Sequence, residues 1–240
     1  MPIEPGYGAP GGRSELWSLR EDVQVSPESG GGPVRLRGRW GDVTIERPSP
    51  LVREALHRMR LGPISLENVI GARGEPGEAD GCDVCRARLY QVLDRIQPLV
   101  SRTLGLGAGQ PLLSVVPLTP QARFRPVPLQ PDAQVWLSTF AQLRTDGREY
   151  RLESPRALHR VQLHRPEAVW LIGSLGRPVT AAAAADAWPS LAAVSPDVLA
   201  YLAAAGMMVV WARGANGAGG RAYPALPGRT RLARRRVGTG

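Results

Sequence analysis

The stretch V-T-I-E-R-P-S-P-L-V at residues 43–52 decides the fold, because the chain repeats it as V-Q-L-H-R-P-E-A-V at residues 161–169. The two copies begin 118 positions apart (161 − 43). In each copy an alternating stretch leads through a proline into a helical run, which continues into G-P-I-S or R-P-V-T and then further helices. A duplicated unit of this size needs a small core of its own. The sequence therefore predicts two similar modules in one chain.

Hairpin signals precede the helices of each copy. Alternating apolar residues reverse direction around Gly38 and Gly41, and T-D-G-R at residues 145–148 is a hairpin turn built around Asp-Gly. Prolines and capping residues then open the helical runs. Helices are predicted at residues 50–61, 65–70, 83–96, 166–174, 180–187 and 195–205, and further strands at residues 16–25, 112–116, 136–144, 150–153, 161–164 and 207–211.

A hairpin, three short helices and a closing strand are the elements of a winged-helix module, here with the strands first. We therefore predict an α+β fold of two tandem winged-helix-like modules joined by a Pro-rich connector. The predicted division is a disordered lead-in at residues 1–15, a first module at 16–104, a Pro/Gly-rich connector at 105–134, a second module at 135–211 and a disordered basic tail at 212–240.

The charge is less informative than it first looks. The formal net charge is +9, which usually points to nucleic acid or an acidic membrane surface. However, all 30 basic residues are Arg, and the chain is rich in Ala, Gly and Pro, as is typical of a GC-rich genome. Part of the excess also lies at residues 228–237. We therefore expect neither nucleic acid nor a membrane as the partner.

Signals for export and membrane insertion are missing from the sequence. Residues 1–12 are rich in Pro and Gly and contain no apolar core segment. No apolar run reaches the roughly 18 residues of a membrane span. With only two cysteines, the sequence favours a reducing compartment, and we expect a cytoplasmic protein.

Motifs that carry chemistry are weak. Cys82 and Cys85 form one C-x-x-C pair, whereas structural zinc needs four ligands. No nucleophile motif accompanies His57, His159 or His164, and no phosphate-binding glycine loop is present. We predict no catalytic, metal-binding or cofactor-binding residue in this chain, and leave open whether it is part of an enzyme.

Four strings carry a resemblance to a known family. They resemble the amino-terminal half of the SagB-type peptide dehydrogenases of actinobacteria, and lie at residues 43–59, 62–69, 152–169 and 198–207. The resemblance implies a role in making thiazole- and oxazole-modified ribosomal peptides, in which an FMN domain oxidises azolines to azoles. That nitroreductase-like domain would follow the part seen here. The resemblance therefore implies FMN in a partner domain and assigns no flavin-binding residue to this chain.

The resemblance also implies a binding mode. The amino-terminal modules of such systems are similar to winged-helix elements that bind the leader of a precursor peptide. An extended peptide can add to a strand edge through main-chain hydrogen bonds. We expect this site at Val43 and Ile45 of the first hairpin, with Arg86, Arg88 and Tyr90 of the third helix meeting an acidic leader. A flavin dehydrogenase or cyclodehydratase is the expected protein partner.

Two alternatives stay open. The chain could be a winged-helix DNA-binding regulator, although its last predicted helix, at residues 195–205, has no basic residue to neutralise phosphate. It could also be a fragment of an FMN-dependent oxidoreductase whose catalytic domain lies elsewhere. The reading we favour is a non-catalytic peptide-recognition or scaffold part of an azoline dehydrogenase system.

Overall fold

The computed structural model describes residues 12–26, 32–71, 79–107, 109–147, 149–212 and 221–223. Within them the chain has a mixed α/β architecture of three antiparallel sheets and six α-helices, so the predicted α+β class is confirmed. Each helix of the described residues is too short or too polar to cross a membrane.

The first half of the chain contributes six strands and three helices. They are β1 (Arg13–Leu19), β2 (Gln24–Val25), β3 (Val34–Gly38), β4 (Gly41–Ile45), α1 (Pro50–Leu61), α2 (Leu66–Gly71), α3 (Ala79–Arg95), β5 (Val100–Leu106) and β6 (Gln110–Pro117). The second half contributes seven strands and three helices. They are β7 (Gln134–Leu137), β8 (Gln142–Asp146), β9 (Glu149–Glu153), β10 (His159–Leu163), α4 (Pro166–Ser174), β11 (Val179–Thr180), α5 (Ala181–Asp186), α6 (Ser195–Ala204), β12 (Met208–Ala212) and β13 (Arg221–Tyr223).

The two halves have the same order of elements. In the first, β1 pairs with β5 and forms a single bridge between Trp17 and Ile64, just before α2. In the second, β7 pairs with β12 and with β11, just before α5. Each half also contains a three-stranded antiparallel meander, β2–β3–β4 or β8–β9–β10, and ends in a hairpin, β5–β6 or β12–β13. The repeat seen in the sequence is therefore also a repeat of strand pairing.

The buried apolar residues form two cores. One extends from Trp17 to Val100 and packs α1, α2 and α3 against the first meander. The other extends from Leu104 to Met208 and packs α4, α5 and α6 against the second. Two cores are what a duplicated unit of this size requires. They meet within β5, between Val100 and Leu104.

One sheet nevertheless joins the halves. Its strand order is β1–β5–β6–β10–β9–β8, so the second meander is extended by three strands of the first half. The strand predicted at residues 112–116 is present as β6, and the predicted boundary between residues 104 and 105 falls inside β5. Independent folding of modules with the predicted boundaries stays a prediction.

The predicted cap of α1 and the predicted Asp-Gly turn are present in the structure. The Ser49 hydroxyl accepts a hydrogen bond from Val52 N at 3.3 Å at the start of α1, and Thr180 caps α5 by accepting from Ala183 N at 3.1 Å. The predicted Asp-Gly turn joins β8 to β9, and its Gly147 has a φ of 63°, which favours glycine.

Two predicted strands were wrong in their extent, because each is interrupted by a tight turn. The strand predicted at residues 16–25 divides into β1 and β2, where Val23 N donates to Arg20 O at 2.9 Å. The strand predicted at residues 136–144 divides into β7 and β8, where Ala141 N donates to Ser138 O at 2.8 Å. Of the predicted lead-in, residues 1–11 lie outside the described residues, and residues 13–15 belong to β1. Of the predicted tail, residues 213–220 and 224–240 lie outside them, and β13 pairs with β12.

Candidate functional site

The outer edge of β4 has main-chain groups that face away from its neighbour β3. Ser26 N donates to Arg35 O at 2.9 Å, so Arg35 points its main chain toward β2. The main-chain N–H and C=O groups of successive residues point to opposite edges of a strand. Those of Val34 and Leu36 therefore face β4, where these residues lie opposite Ile45 and Val43. The main chains of Asp42 and Thr44 therefore point outward, and we call these two residues the β4 edge. No other strand of the described residues pairs with this edge.

One flank of α3 lies beside the β4 edge. Arg95 Nη2 donates to Thr44 O at 2.7 Å, which places the end of the helix next to the strand. Arg88, Val92 and Arg95 follow helical spacing, so they share this side of the helix, and we call them the α3 flank. Arg88 and Arg95 are exposed, and Val92 is partly buried against the first core. The arrangement is an open strand edge beside the guanidinium of Arg95, with Arg88 two turns earlier on the same side of the helix.

The predicted site residues divide between this site and other places. Arg88 lies on the α3 flank, and Val43 is half-buried beside the β4 edge. Ile45 has 5% of its surface exposed and packs in the first core, so its side chain does not reach the surface. By helical spacing Arg86 and Tyr90 lie on other sides of α3 from Arg88. Both are exposed there, and their predicted role in binding stays a prediction.

Arg95 and Thr44 are the residues that the sequence reasoning missed. Arg95 lies seven positions after Arg88, so the spacing alone could have placed both on one side of the helix. Sequence spacing does not indicate that this side faces β4, because that depends on how α3 packs against the meander.

The counterpart of the β4 edge in the second half is already paired. The repeat aligns Val43 with Val161, and therefore Thr44 with Gln162. Gln162 lies opposite Ser114 in the ladder between β10 and β6, and His164 N donates to Leu112 O at 3.0 Å. We call Gln162 and His164 the β10 edge. Strand β6 occupies it along its length.

A buried polar cluster fastens β1 and β5 to α6. The Glu15 carboxylate accepts hydrogen bonds from Arg102 and from the Tyr201 hydroxyl, the latter at 2.7 Å. Burial alone would raise the pKa of Glu15, but Arg102 and the hydrogen bond from Tyr201 hold it below its usual value. Burial and the nearby Glu15 carboxylate raise the pKa of Tyr201, which keeps its hydroxyl protonated as the donor. Arg102 also lies 3.5 Å above the Trp17 ring, a further contact that holds its guanidinium in place.

The polar face of the six-stranded sheet forms the floor of a cleft of about 650 Å³. On this floor the Ser114 hydroxyl lies 2.6 Å from Thr103 Oγ1 and 2.7 Å from His164 Nε2. Burial lowers the pKa of His164, although Glu149 partly opposes this. These three side chains link β5, β6 and the residue that follows β10.

The other residues singled out in the sequence lie apart. Cys85 is a free, exposed thiol on α3, and His57 is exposed on α1. His159 is 5% exposed, and burial lowers its pKa to about 4. Within the part of the chain that the structure describes, no three His, Cys, Asp or Glu side chains cluster as metal ligands would.

The site is thus a strand edge in a repeated α/β unit, and comparison with known proteins adds one family. Residues 135–218 match the family model of the cyanobactin oxidase ThcOx, a domain of an enzyme that matures ribosomally made peptides. The match covers the predicted second module and the start of the predicted tail, about a third of the chain. No curated protein matches the chain.

Proposed function

We propose that this chain is a non-catalytic peptide-recognition part of a system that matures ribosomal peptides. The observation that carries the proposal is the β4 edge, whose outward main-chain groups lie beside the α3 flank. A strand edge offers main-chain hydrogen bonds to an extended peptide, and side chains beside it select the sequence. The ThcOx match supports the same peptide chemistry for the second half.

The preferred peptide is extended and acidic. Arg88 and Arg95 are exposed, and neither is paired with a carboxylate among the described side chains. A carboxylate beside a guanidinium forms a charge-assisted hydrogen bond, which is stronger than a neutral one. In this proposal the peptide is the precursor of a thiazole- or oxazole-modified product, and the chain works in a SagB-type dehydrogenase system. FMN chemistry belongs to a flavin dehydrogenase partner, and a cyclodehydratase is the other expected partner.

Three fluorescent probes test the proposal by anisotropy on the full chain. They are a peptide of about nine residues whose alternate positions carry both Leu and Glu, with Thr between them, the same peptide with Arg for Glu, and a duplex DNA of random sequence. We expect binding of the acidic peptide at least about tenfold tighter than binding of the basic one. Failure of the acidic peptide to bind would overturn the proposal. Tight DNA binding that falls steeply with salt would favour the DNA-binding alternative.

A second experiment tests the proposal that FMN binds to the partner and not to this chain. The purified full chain is mixed with FMN, passed through a desalting column and examined for flavin absorbance and fluorescence. We expect no flavin to stay with the protein. Retention of one FMN per chain would show that the chain itself holds the cofactor, and would overturn the non-catalytic assignment.

A further inference from the structure

Strand β6 has taken, in the second half, the place that a peptide would take in the first. Both β4 and β10 are the last strands of their meanders, and the repeat aligns their sequences. The β10 edge is hydrogen-bonded to β6 in antiparallel register, from His159 opposite Pro117 to Leu163 opposite Leu113. The β4 edge has no such strand among the described residues. The chain thus contains one filled and one open version of the same edge.

The filled version shows which side chains an added strand buries. Leu113 and Val115 of β6 point into the second core, with 0% and 1% of their surfaces exposed. They are two positions apart, as strand periodicity requires. An added strand therefore places apolar side chains toward the helices at alternate positions. The intervening residue, Ser114, faces the opposite side of the sheet.

The third helices of the two halves can be aligned through their buried residues. Leu89 and Leu93 of α3, with Ile96 just after it, correspond to Val198 and Leu202 of α6, with Ala205 just after it. All six are at most 1% exposed. This alignment places Arg88 opposite Asp197 and Val92 opposite Tyr201. We call Asp197 and Tyr201 the α6 flank. It can be compared with the α3 flank, and its side chains already have partners.

The partners of the α6 flank are side chains of a strand. Asp197 forms an ion pair with Arg13 at 3.0 Å, and Tyr201 donates to Glu15, so both contact β1. Asp197 takes its guanidinium from β1, which lies in the same sheet two strands beyond β6. Arg88, with the opposite charge, is suited to take a carboxylate.

We infer that the β4 edge is the single strand acceptor of this chain, and that it binds one acidic peptide antiparallel to β4. The inference rests on the proposed function and adds its stoichiometry, direction and side-chain pattern. The peptide places apolar residues at alternate positions next to Val43 and Val92, and a carboxylate next to Arg88. Its main chain bonds to Asp42 and Thr44, and Arg95 releases Thr44 O to reach the peptide. The β10 edge is closed because β6 already satisfies it.

Substitutions at Thr44 test the edge on the full chain, with the labelled Leu/Glu peptide of about nine residues as probe. Thr44→Pro removes the outward N–H, a change that edge strands tolerate. We expect wild-type protein to bind one peptide, Thr44→Pro to bind about tenfold more weakly, and Thr44→Val, which keeps the N–H, to bind within about twofold. Circular dichroism checks that each variant is folded.

Charge reversals test the helix flank without touching the strand, and so remain informative if Thr44→Pro fails to fold. Arg88→Glu should weaken binding about tenfold. Arg86→Glu, which makes the same charge change on another side of α3, should weaken it about twofold or less.

The outcomes separate the inference from the proposed function. Binding that Thr44→Pro and Arg88→Glu leave unchanged, or a stoichiometry of two peptides, would overturn the single β4 acceptor while the chain remained a peptide binder. Equal losses in Arg86→Glu and Arg88→Glu would mean that general charge, not the flank, attracts the peptide. No binding by the wild-type chain would overturn both.

Discussion

The two halves of this chain differ most at equivalent strand edges. In the second half, β10 lies inside a six-stranded sheet and its outer edge bonds to β6. In the first half, β4 is the last strand of a three-stranded sheet, and the guanidinium of Arg95 donates to Thr44 O on its outer edge. The duplication has thus produced one edge that is paired within a sheet and one that no strand of the described residues pairs with. In the proposed function, the first edge is structural and the second recognises the peptide.

The difference follows from the hairpin that ends each half. In the first half, β5 and β6 are long strands of seven and eight residues, and β6 reaches the β10 edge. In the second half, the corresponding β12–β13 hairpin joins the sheet β11–β7–β12–β13 and bonds to β7, not to β4. The closing hairpin of the first half thus pairs with the meander of the second half, whereas the closing hairpin of the second half does not pair with the meander of the first. This leaves the β4 edge without a strand among the described residues.

The largest expected effect comes from the same substitution at the two aligned positions. Gln162→Pro removes an N–H of a strand paired on both sides, and we expect a loss of about 3–5 kcal/mol of unfolding free energy. Thr44→Pro removes an N–H that points away from its sheet, and we expect a loss of about 1 kcal/mol. Urea unfolding followed by circular dichroism measures both. Equal losses would mean that the β4 edge is also paired.

The second prediction concerns the cluster that fastens the halves together. Arg102→Met removes the charge that compensates Glu15 and leaves a largely buried carboxylate, so we expect a loss of about 3 kcal/mol by urea unfolding. Arg37→Met breaks an exposed ion pair with Asp42 inside the first meander and should change stability by less than about 1 kcal/mol. A loss from Arg102→Met no greater than that from Arg37→Met would show that the halves are held together elsewhere.

How far the sequence could predict this structure depends on the range of the interaction. Ser49 and Thr180 were recognisable as caps because a cap bonds to residues three positions away. The pairing of β6 with β10 was not recognisable, since L-L-S-V-V at residues 112–116 predicts a strand without naming its partner, about 50 residues further on. The same limit explains the site. Arg88 was predicted from its charge, whereas the meeting of Arg95 with Thr44 depends on tertiary packing.

Lowering the pH should reduce the free energy of unfolding through a buried histidine of the second half. His159 begins β10 and is buried with a pKa of about 4, whereas the aligned residue of β4 is Gly41. An unfolded histidine has a pKa near 6.5, so the unfolded state binds the proton first as the pH falls. The stabilisation is complete above pH 6.5 and is lost between pH 6.5 and about 4.

We expect a loss of about 2 kcal/mol between pH 7 and pH 5 from this group, measured by urea unfolding at both pH values. His159→Phe keeps a ring against Phe124 and should reduce the pH dependence by that amount. His57→Gln, at an exposed position of α1, is the control for the loss of a histidine elsewhere in the chain. Identical pH curves for His159→Phe and wild type would show that another group controls the acid response.

The smallest expected effect distinguishes how α1 and α4, the helices that follow the two meanders, are stabilised at their first turns. Ser49 caps α1 with its side chain, whereas Arg165 at the start of α4 forms no side-chain cap. Ser49→Ala should therefore cost about 1 kcal/mol of unfolding free energy, and Ser49→Asp, which restores an acceptor, should recover most of it. Arg165→Ala loses contacts to Glu167 and Gln110 but no cap. Its loss should be the smaller one, because an ion pair that is still in contact with water contributes little. A larger loss at Arg165 would mean that the start of α4 depends on these side-chain contacts. The two helices would then be stabilised by different interactions, although both begin with a proline.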